Sequence, residues 1–207
     1  MAPPLHRMSF DTRKTLILRV RNPDDADGWR DFYGLYEPLI KRFFQSRGLQ
    51  EADADDIVQN VLQRVAKAAP YFEYDPAKGK FRSWLFTIAR NELNRHFGKV
   101  MRRPASTSQP EVISNLVSAD EAELRKSWET EYRQHLFQWA CKRVRPETSD
   151  QAWKAFWGTA VDEKSATDVA AELDTTVGAI YIAKSRVIDK LRECIETVSG
   201  EWDLLDS

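Results

Sequence analysis

Cysteine, glycine and long apolar runs are all scarce in this chain of 207 residues. The two cysteines, Cys141 and Cys194, are too few and too far apart for a disulfide framework. No uninterrupted apolar run approaches the roughly 18 residues that a membrane-spanning helix needs. The first ten residues lack the apolar core of a signal peptide. These absences exclude a disulfide-rich secreted scaffold, and we expect a cytoplasmic protein without membrane insertion.

Only eight glycines occur, and no segment shows the alternation of β-branched and polar residues that is typical of a strand. Apolar residues instead recur at helical spacing, and the composition, 42% hydrophobic and 30% charged, is that of a globular protein. We therefore predict an all-α fold with two small helical domains joined by a flexible linker. The predicted boundaries are residues 1–100 for the first domain, 101–118 for the linker and 119–207 for the second domain.

Prolines, capping residues and apolar periodicity place the individual helices. Asp24 or Asp27 can cap the helix that carries the aromatic residues between Trp29 and Phe44. The stretch "RRPASTSQPEVISN" is rich in serine, threonine and proline, which indicates a linker. The other predicted helices cover residues 10–21, 53–68, 79–98, 120–145, 149–159, 165–173 and 176–198.

Formal net charge is only −1, but the charges are unevenly distributed. Residues 78–103 contain eight basic residues and one acid, whereas residues 111–131 contain six acids and two bases. In the basic stretch, "GKFRSWLFTIARNELNRHFG" places Phe86, Leu93 and Phe97 beside Arg90, away from the main apolar stripe. Such a helix either lies between two neighbouring helices or presents a surface to bases. Aromatic stacking contributes roughly 1–3 kcal/mol per unpaired base, and cations hold the backbone.

A second pattern lies in "SATDVAAELDTTVGAIYIAKSRVIDKLRECI". Ser165 and Thr176 can each cap a helix, with Val177, Ile180 and Leu191 on the packing side of the second one. This spacing is typical of a helix-turn-helix, whose second helix enters the DNA major groove; the alternative is a plain helical hairpin. The candidate contacts to duplex DNA are Thr176, Ala179, Tyr181, Lys184, Ser185, Arg186 and Lys190.

Together with "ADADDIVQNVLQRVAKA" and "KGKFRSWLFTIARNELNRHFGK", this segment resembles the extracytoplasmic-function (ECF) sigma factors. These are small sigma subunits of bacterial RNA polymerase, and the blocks follow the family's order and spacing. The resemblance implies a bacterial protein that binds core RNA polymerase and directs promoter-specific transcription initiation. It implies that the first domain recognises and melts the −10 element and that the second recognises the −35 element as duplex DNA.

The resemblance also implies roles for individual residues. The candidate contacts to core polymerase are Asp55, Asp56, Gln59, Asn60 and Gln63, which lie largely off the apolar stripe of their helix. The candidate contacts to the melted −10 strand are Tyr71, Phe72, Lys80, Arg82, Phe86, Arg90, Asn91, Asn94 and Arg95. Asn91 and the loop before Phe81 belong to the region that reads a flipped base. Trp84 and Leu85 are expected in the core, and packing explains Phe86 as well as stacking does.

One departure from the family concerns the front of the last helix. Ala179, Tyr181 and Ala183 are less polar than the family's usual residues there, which favours readout by tyrosine, DNA shape and phosphate contacts. The sequence does not predict the −35 bases. Because an anti-sigma factor holds many relatives silent, such a protein is a further candidate partner.

Nothing in the sequence indicates catalysis, a metal or a cofactor. His6, His96 and His135 lie far apart, without ligand-like spacing to either cysteine. Phosphate-binding loops and nucleophile elbows are absent from the sequence. We therefore expect a non-enzymatic protein. The alternatives are a stand-alone helix-turn-helix regulator that binds duplex DNA without polymerase, and a helical adaptor that binds protein alone.

Overall fold

The computed structural model describes residues 16–72, 81–100 and 120–199, and all regular structure within them is helical. The all-α prediction is confirmed for this part of the chain. The helices are α1 (Leu16–Arg19), α2 (Ala26–Gln45), α3 (Glu51–Ala68), α4 (Phe81–Val100), α5 (Glu121–Val144), α6 (Asp150–Ala160), α7 (Ala166–Glu172) and α8 (Val177–Ser199). Short 3-10 turns follow α3 and α5. Lys80, the predicted linker at 101–118 and the first part of the helix predicted at 10–21 lie outside the described residues.

Side-chain caps start several of these helices. Ser165 Oγ accepts a hydrogen bond from the Asp168 amide at 3.1 Å, and Thr176 Oγ1 accepts one from Ala179 at 3.2 Å, so both predicted caps are confirmed. The predicted cap of α2 is wrong. Asp25, not Asp24 or Asp27, accepts from the Gly28 amide at 2.7 Å.

An ion pair explains why Asp25 takes this role. The guanidinium of Arg19, at the end of α1, lies 2.9 Å from the Asp25 carboxylate. Its hydrogen bond and that of the Gly28 amide lower the pKa of Asp25. The carboxylate therefore caps α2 and holds α1 against it.

Helices α2, α3 and α4 pack together around an apolar core. The predicted stripe of α3 is buried: Ile57, Val58, Val61, Leu62 and Val65. On α4, Leu85 is buried and Trp84 packs against the core, both as expected.

Helix α5 connects this unit to the rest of the molecule. It contacts α2, α4 and α8. Trp128 is fully buried, its Nε1 donates a hydrogen bond to the Arg82 carbonyl at 3.1 Å, and its ring meets Phe43 edge-on with centroids 4.9 Å apart. One apolar cluster consequently extends from α1 to α8.

Helices α6, α7 and α8 form the remaining part around a smaller cluster of buried residues, Ala155, Val169, Ala170 and Ile180. A β-carbon on Gly158 of α6 would lie 3.0 Å from the side chain of Val169 on α7. Helices α6 and α7 therefore approach closely at this point. The turn between α7 and α8 contains Asp174 in the left-handed region, with φ 47°. Within the described ranges, no helix has the length and hydropathy needed to cross a membrane.

The burial of Trp128 predicts a large effect of its removal. We expect Trp128→Ala to lower the free energy of unfolding by about 3–5 kcal/mol, because a cavity would open between α2, α4 and α5. Urea denaturation followed by circular dichroism measures this change. Trp157→Ala is the matched control, because Trp157 on α6 is 36% exposed and should cost clearly less. Equal losses in the two variants would contradict the prediction.

A buried histidine predicts how stability depends on pH. His135 Nε2 lies 2.8 Å from the Leu35 carbonyl and donates to it in the neutral ring. Burial lowers the pKa of His135 below 6.5, nearby Arg42 and Lys142 lower it further, and the Leu35 hydrogen bond opposes them. The unfolded chain therefore takes up a proton first, so this contribution is intact above pH 6.5 and is lost as the pH falls towards the folded pKa.

We expect the free energy of unfolding to decrease on acidification from about pH 7.5 to about pH 5, by at most about 1.4 kcal/mol per pH unit from this group. The decrease should be smaller in His135→Gln than in the wild type. Urea titrations at several pH values measure it, with His96→Gln as the control. If His135→Gln and His96→Gln show the same pH dependence, the assignment to His135 is wrong.

Candidate nucleic-acid and protein interface

One side of α3 presents acids and amides to solvent. Asp56, Gln59, Asn60 and Gln63 are exposed and follow one another at spacings of three and four residues, which places them on one face. Asp55 lies beside this face, half-buried, and its carboxylate pairs with Lys41 of α2 at 2.8 Å. The structure thus brings the five predicted polymerase contacts together, four of them open and one already paired.

Helix α4 has an open face and a covered face. The open face contains Thr87, Asn91, Asn94 and Arg95, all exposed. Glu92 is buried beside it and pairs with Arg64 of α3 and, at 3.4 Å, with Arg95. Arg95 nevertheless remains accessible, so amides and a cation face solvent at the centre of this helix.

The covered face of α4 packs against α5. Glu129 of α5 pairs with Arg82 at 2.7 Å, and Glu121 of α5 pairs with Arg90 at 2.8 Å. Phe86 lies between these two arginines along α4 and is only 1% exposed. The acidic residues that follow the basic stretch in sequence therefore neutralise part of it in the fold.

This packing covers two of the predicted −10 contacts. Phe86 packs against Trp128 and Phe43, and Arg82 is buried beside Glu129. Both side chains are buried in this structure, because α5 occupies that side of α4. Arg90 keeps partial exposure, but its charge is shared with Glu121.

The segment after α3 supplies two aromatic candidates. Tyr71 is largely exposed at the end of the 3-10 turn, whereas Phe72 packs against Phe81 and Trp84. Tyr71 is therefore free to stack on a partner, and Phe72 supports the start of α4. Lys80 lies outside the described residues.

The front of α8 contains most of the predicted duplex-DNA contacts. Five of them are exposed: Thr176, Ala179, Tyr181, Ser185 and Arg186. Lys184 is half-buried, and Lys190 is exposed but donates a hydrogen bond to the Glu147 carbonyl. Both lysines thus keep some solvent exposure on α8.

Sequence reasoning missed two residues of this surface. Val177 was expected on the packing side of α8, but it is exposed, and Ile182 is exposed as well. Helical spacing contained the signal for Ile182, because it lies four residues before Arg186 on the same face. For Val177 the apolar spacing did not distinguish a buried from an exposed position, because Val177 is the first residue of α8 and no earlier turn of that helix lies beside it.

Both cysteines belong to the packed interior, Cys141 within the apolar cluster and Cys194 against it. Burial raises the pKa of Cys141 to about 11 and also raises the pKa of Cys194, so both are thiols at neutral pH. In the part of the chain that the structure describes, no three histidine, cysteine, aspartate or glutamate side chains are grouped to hold a metal ion.

Comparison with known proteins matches the α2–α4 unit to a family. Residues 32–103 match sigma-70 region 2. The chain is 29% identical over 76 residues to the ECF RNA polymerase sigma factor RpoE of Cereibacter sphaeroides, covering 37% of this chain and 41% of that protein. It is 28% identical over 92 residues to the RNA polymerase sigma factor HrpL of Pseudomonas syringae, covering 44% of this chain and 48% of that protein.

The matched region thus spans less than half the length of either relative. The region 2 match, residues 32–103, contains both the acid and amide face of α3 and the open face of α4. The α2–α4 unit is therefore similar to sigma-70 region 2, and the chain resembles two sigma factors over less than half of its own length.

Proposed function

We propose that this protein binds core RNA polymerase and directs transcription initiation at a specific class of promoters. The observation that carries the proposal is the pairing of two open faces in the α2–α4 unit. An acid and amide face lies on α3, and an amide and cation face lies on α4. A protein that only binds duplex DNA through α8 has no need of either face.

The face of α3 is proposed to dock on the polymerase. Asp56 is exposed, and Gln59, Asn60 and Gln63 extend the face beyond it. Carboxylates and amides of this kind pair with arginines across an interface, where contacts at the buried centre dominate affinity. Asp55 would join them if the partner's cation replaced Lys41.

The open face of α4 is proposed to contact the melted −10 strand. Asn91 and Asn94 can hydrogen-bond to the Watson–Crick edges of an extruded base, and Arg95 can hold the backbone. Tyr71, exposed nearby in the chain, offers a ring for stacking. Arg90 would contact the strand only if a phosphate replaced Glu121 as its partner. Lys80 is included because of the resemblance alone.

Helices α7 and α8 are proposed to bind the −35 element as duplex DNA. The division into residues 1–100, the linker 101–118 and residues 119–207 stays a proposal as well. The contacts of α5 with α2 and α4 mean that the two proposed domains share an interface in this structure. Transcription would place the protein with polymerase in the bacterial cytoplasm, as an initiation factor rather than an enzyme, with an anti-sigma factor as a candidate regulator.

Reconstitution with core RNA polymerase from the source bacterium tests the proposal. We expect a stable complex and promoter-dependent run-off transcription on genomic DNA. Asp56→Arg should weaken association with core about 10- to 100-fold, because it reverses the charge at the open face of α3. Fluorescence anisotropy with labelled protein measures the affinity.

Glu196→Arg is the matched control, because it makes the same charge change at an exposed position near the end of α8. It should leave association with core unchanged. If the wild type does not associate with core, the proposed function is wrong; duplex binding without association would support the stand-alone regulator. If the wild type associates with core and Asp56→Arg does so with the same affinity, the docking face is misassigned.

A second pair of variants separates docking from melting. Asn91→Ala should lower the yield of open complex about tenfold without changing affinity for core, because it removes a base contact. Asn60→Ala makes the same chemical change on α3 and should affect only affinity for core. Permanganate reactivity of unpaired thymines measures melting at promoters found by run-off sequencing. A loss of core affinity in Asn91→Ala would contradict the assignment.

A further inference from the structure

A small apolar patch lies at the start of α8. It consists of Val177, Tyr181 and Ile182, which are 37%, 60% and 57% exposed. Among the described residues, seven large hydrophobic side chains are exposed, and three of them fall within these six consecutive positions. Single exposed apolar residues are ordinary, whereas a group of them marks an interaction surface.

Packing within the protein does not account for the patch. Ile180, between its members in sequence, is buried in the cluster that joins α6, α7 and α8. Val187 and Leu191 continue that buried side further along α8. Tyr181 and Ile182 lie away from this side and Val177 lies at its edge, so the exposed apolar surface of the three is available to a partner.

The hydroxyl and the cation that follow the patch favour duplex DNA over a protein. Residues 177–183 contain no charged side chain. One turn beyond Tyr181 and Ile182, the exposed face continues with Ser185 and Arg186. An uncharged tip followed by a hydroxyl and a cation suits a helix that enters the major groove, with base edges at its start and phosphates along its flank.

The chemistry of the groove then limits what the patch can read. In the major groove, the C5-methyl group of thymine is the one apolar group that the base edges present. We infer that Val177, Tyr181 and Ile182 recognise thymine methyl groups, an inference that rests on the proposed function. The −35 element read by this protein therefore contains thymines opposite the first two turns of α8, and methyl contacts there determine part of its specificity.

Thymine and uracil differ only by that methyl group, which allows a direct test. Holoenzyme assembled from the full chain and core polymerase is used to select duplexes from a pool with a randomised −35 segment. Selected duplexes are then remade with 2′-deoxyuridine at one thymine at a time. We expect thymine enrichment, and about a fourfold loss of affinity for each methyl that the patch contacts.

Variants assign the effect to the patch. Ile182→Ser should bring the thymine-to-uracil affinity ratio close to one at the affected position. Val161→Ser makes a comparable change at an exposed apolar residue after α6 and should leave the ratio as in the wild type. Because the ratio is measured on the same protein with two duplexes, any change in the folded fraction cancels.

The possible results separate this inference from the proposed function. If holoenzyme selects a duplex but uracil binds as well as thymine at every position, the inference is wrong and the proposed function stands. If Ile182→Ser weakens association with core polymerase and leaves the ratio unchanged, the patch binds protein and the inference is also wrong. If no holoenzyme forms, the proposed function itself fails, and the inference fails with it.

Discussion

The insertion of Trp128 between α2 and α4 is the contact on which the arrangement of the molecule depends. Its ring packs edge-on against Phe43, and its indole nitrogen donates to the Arg82 carbonyl. Burying so large a side chain contributes several kcal/mol, and the hydrogen bond satisfies the one polar atom that burial would leave unpaired. Helix α5 is thereby fixed across the α2–α4 unit, and it also packs on α8.

The charges around Trp128 follow from that insertion. Once α5 lies on α4, Glu121 and Glu129 come within ion-pair distance of Arg90 and Arg82. On the α2 side, Glu131 pairs with Arg47 at 3.3 Å. The acidic stretch of the sequence therefore compensates the basic stretch in the fold. What stays open on α4 is a face of amides with Arg95, which suits recognition of a base more than simple attraction to phosphates.

Much of the local structure was predictable because its causes are local. Ser165 and Thr176 cap their helices through hydrogen bonds to amides three residues away, and the stripe of α3 repeats at helical spacing. The cap of α2 was predicted wrongly because several neighbouring aspartates fit the local rule. Arg19, six residues before Asp25, decides between them through an ion pair that the local pattern does not contain.

By itself, the sequence determined the helical class, the separation of basic and acidic stretches, and the polar face of α3, since each depends on composition or spacing along one helix. Only the tertiary structure decided which side of α4 is available. Phe86 fitted stacking and packing equally well until α5 was seen to cover it. It also decided that Val177 faces solvent. Periodicity shows that residues share a face, but a face becomes core or surface only when another helix packs on it.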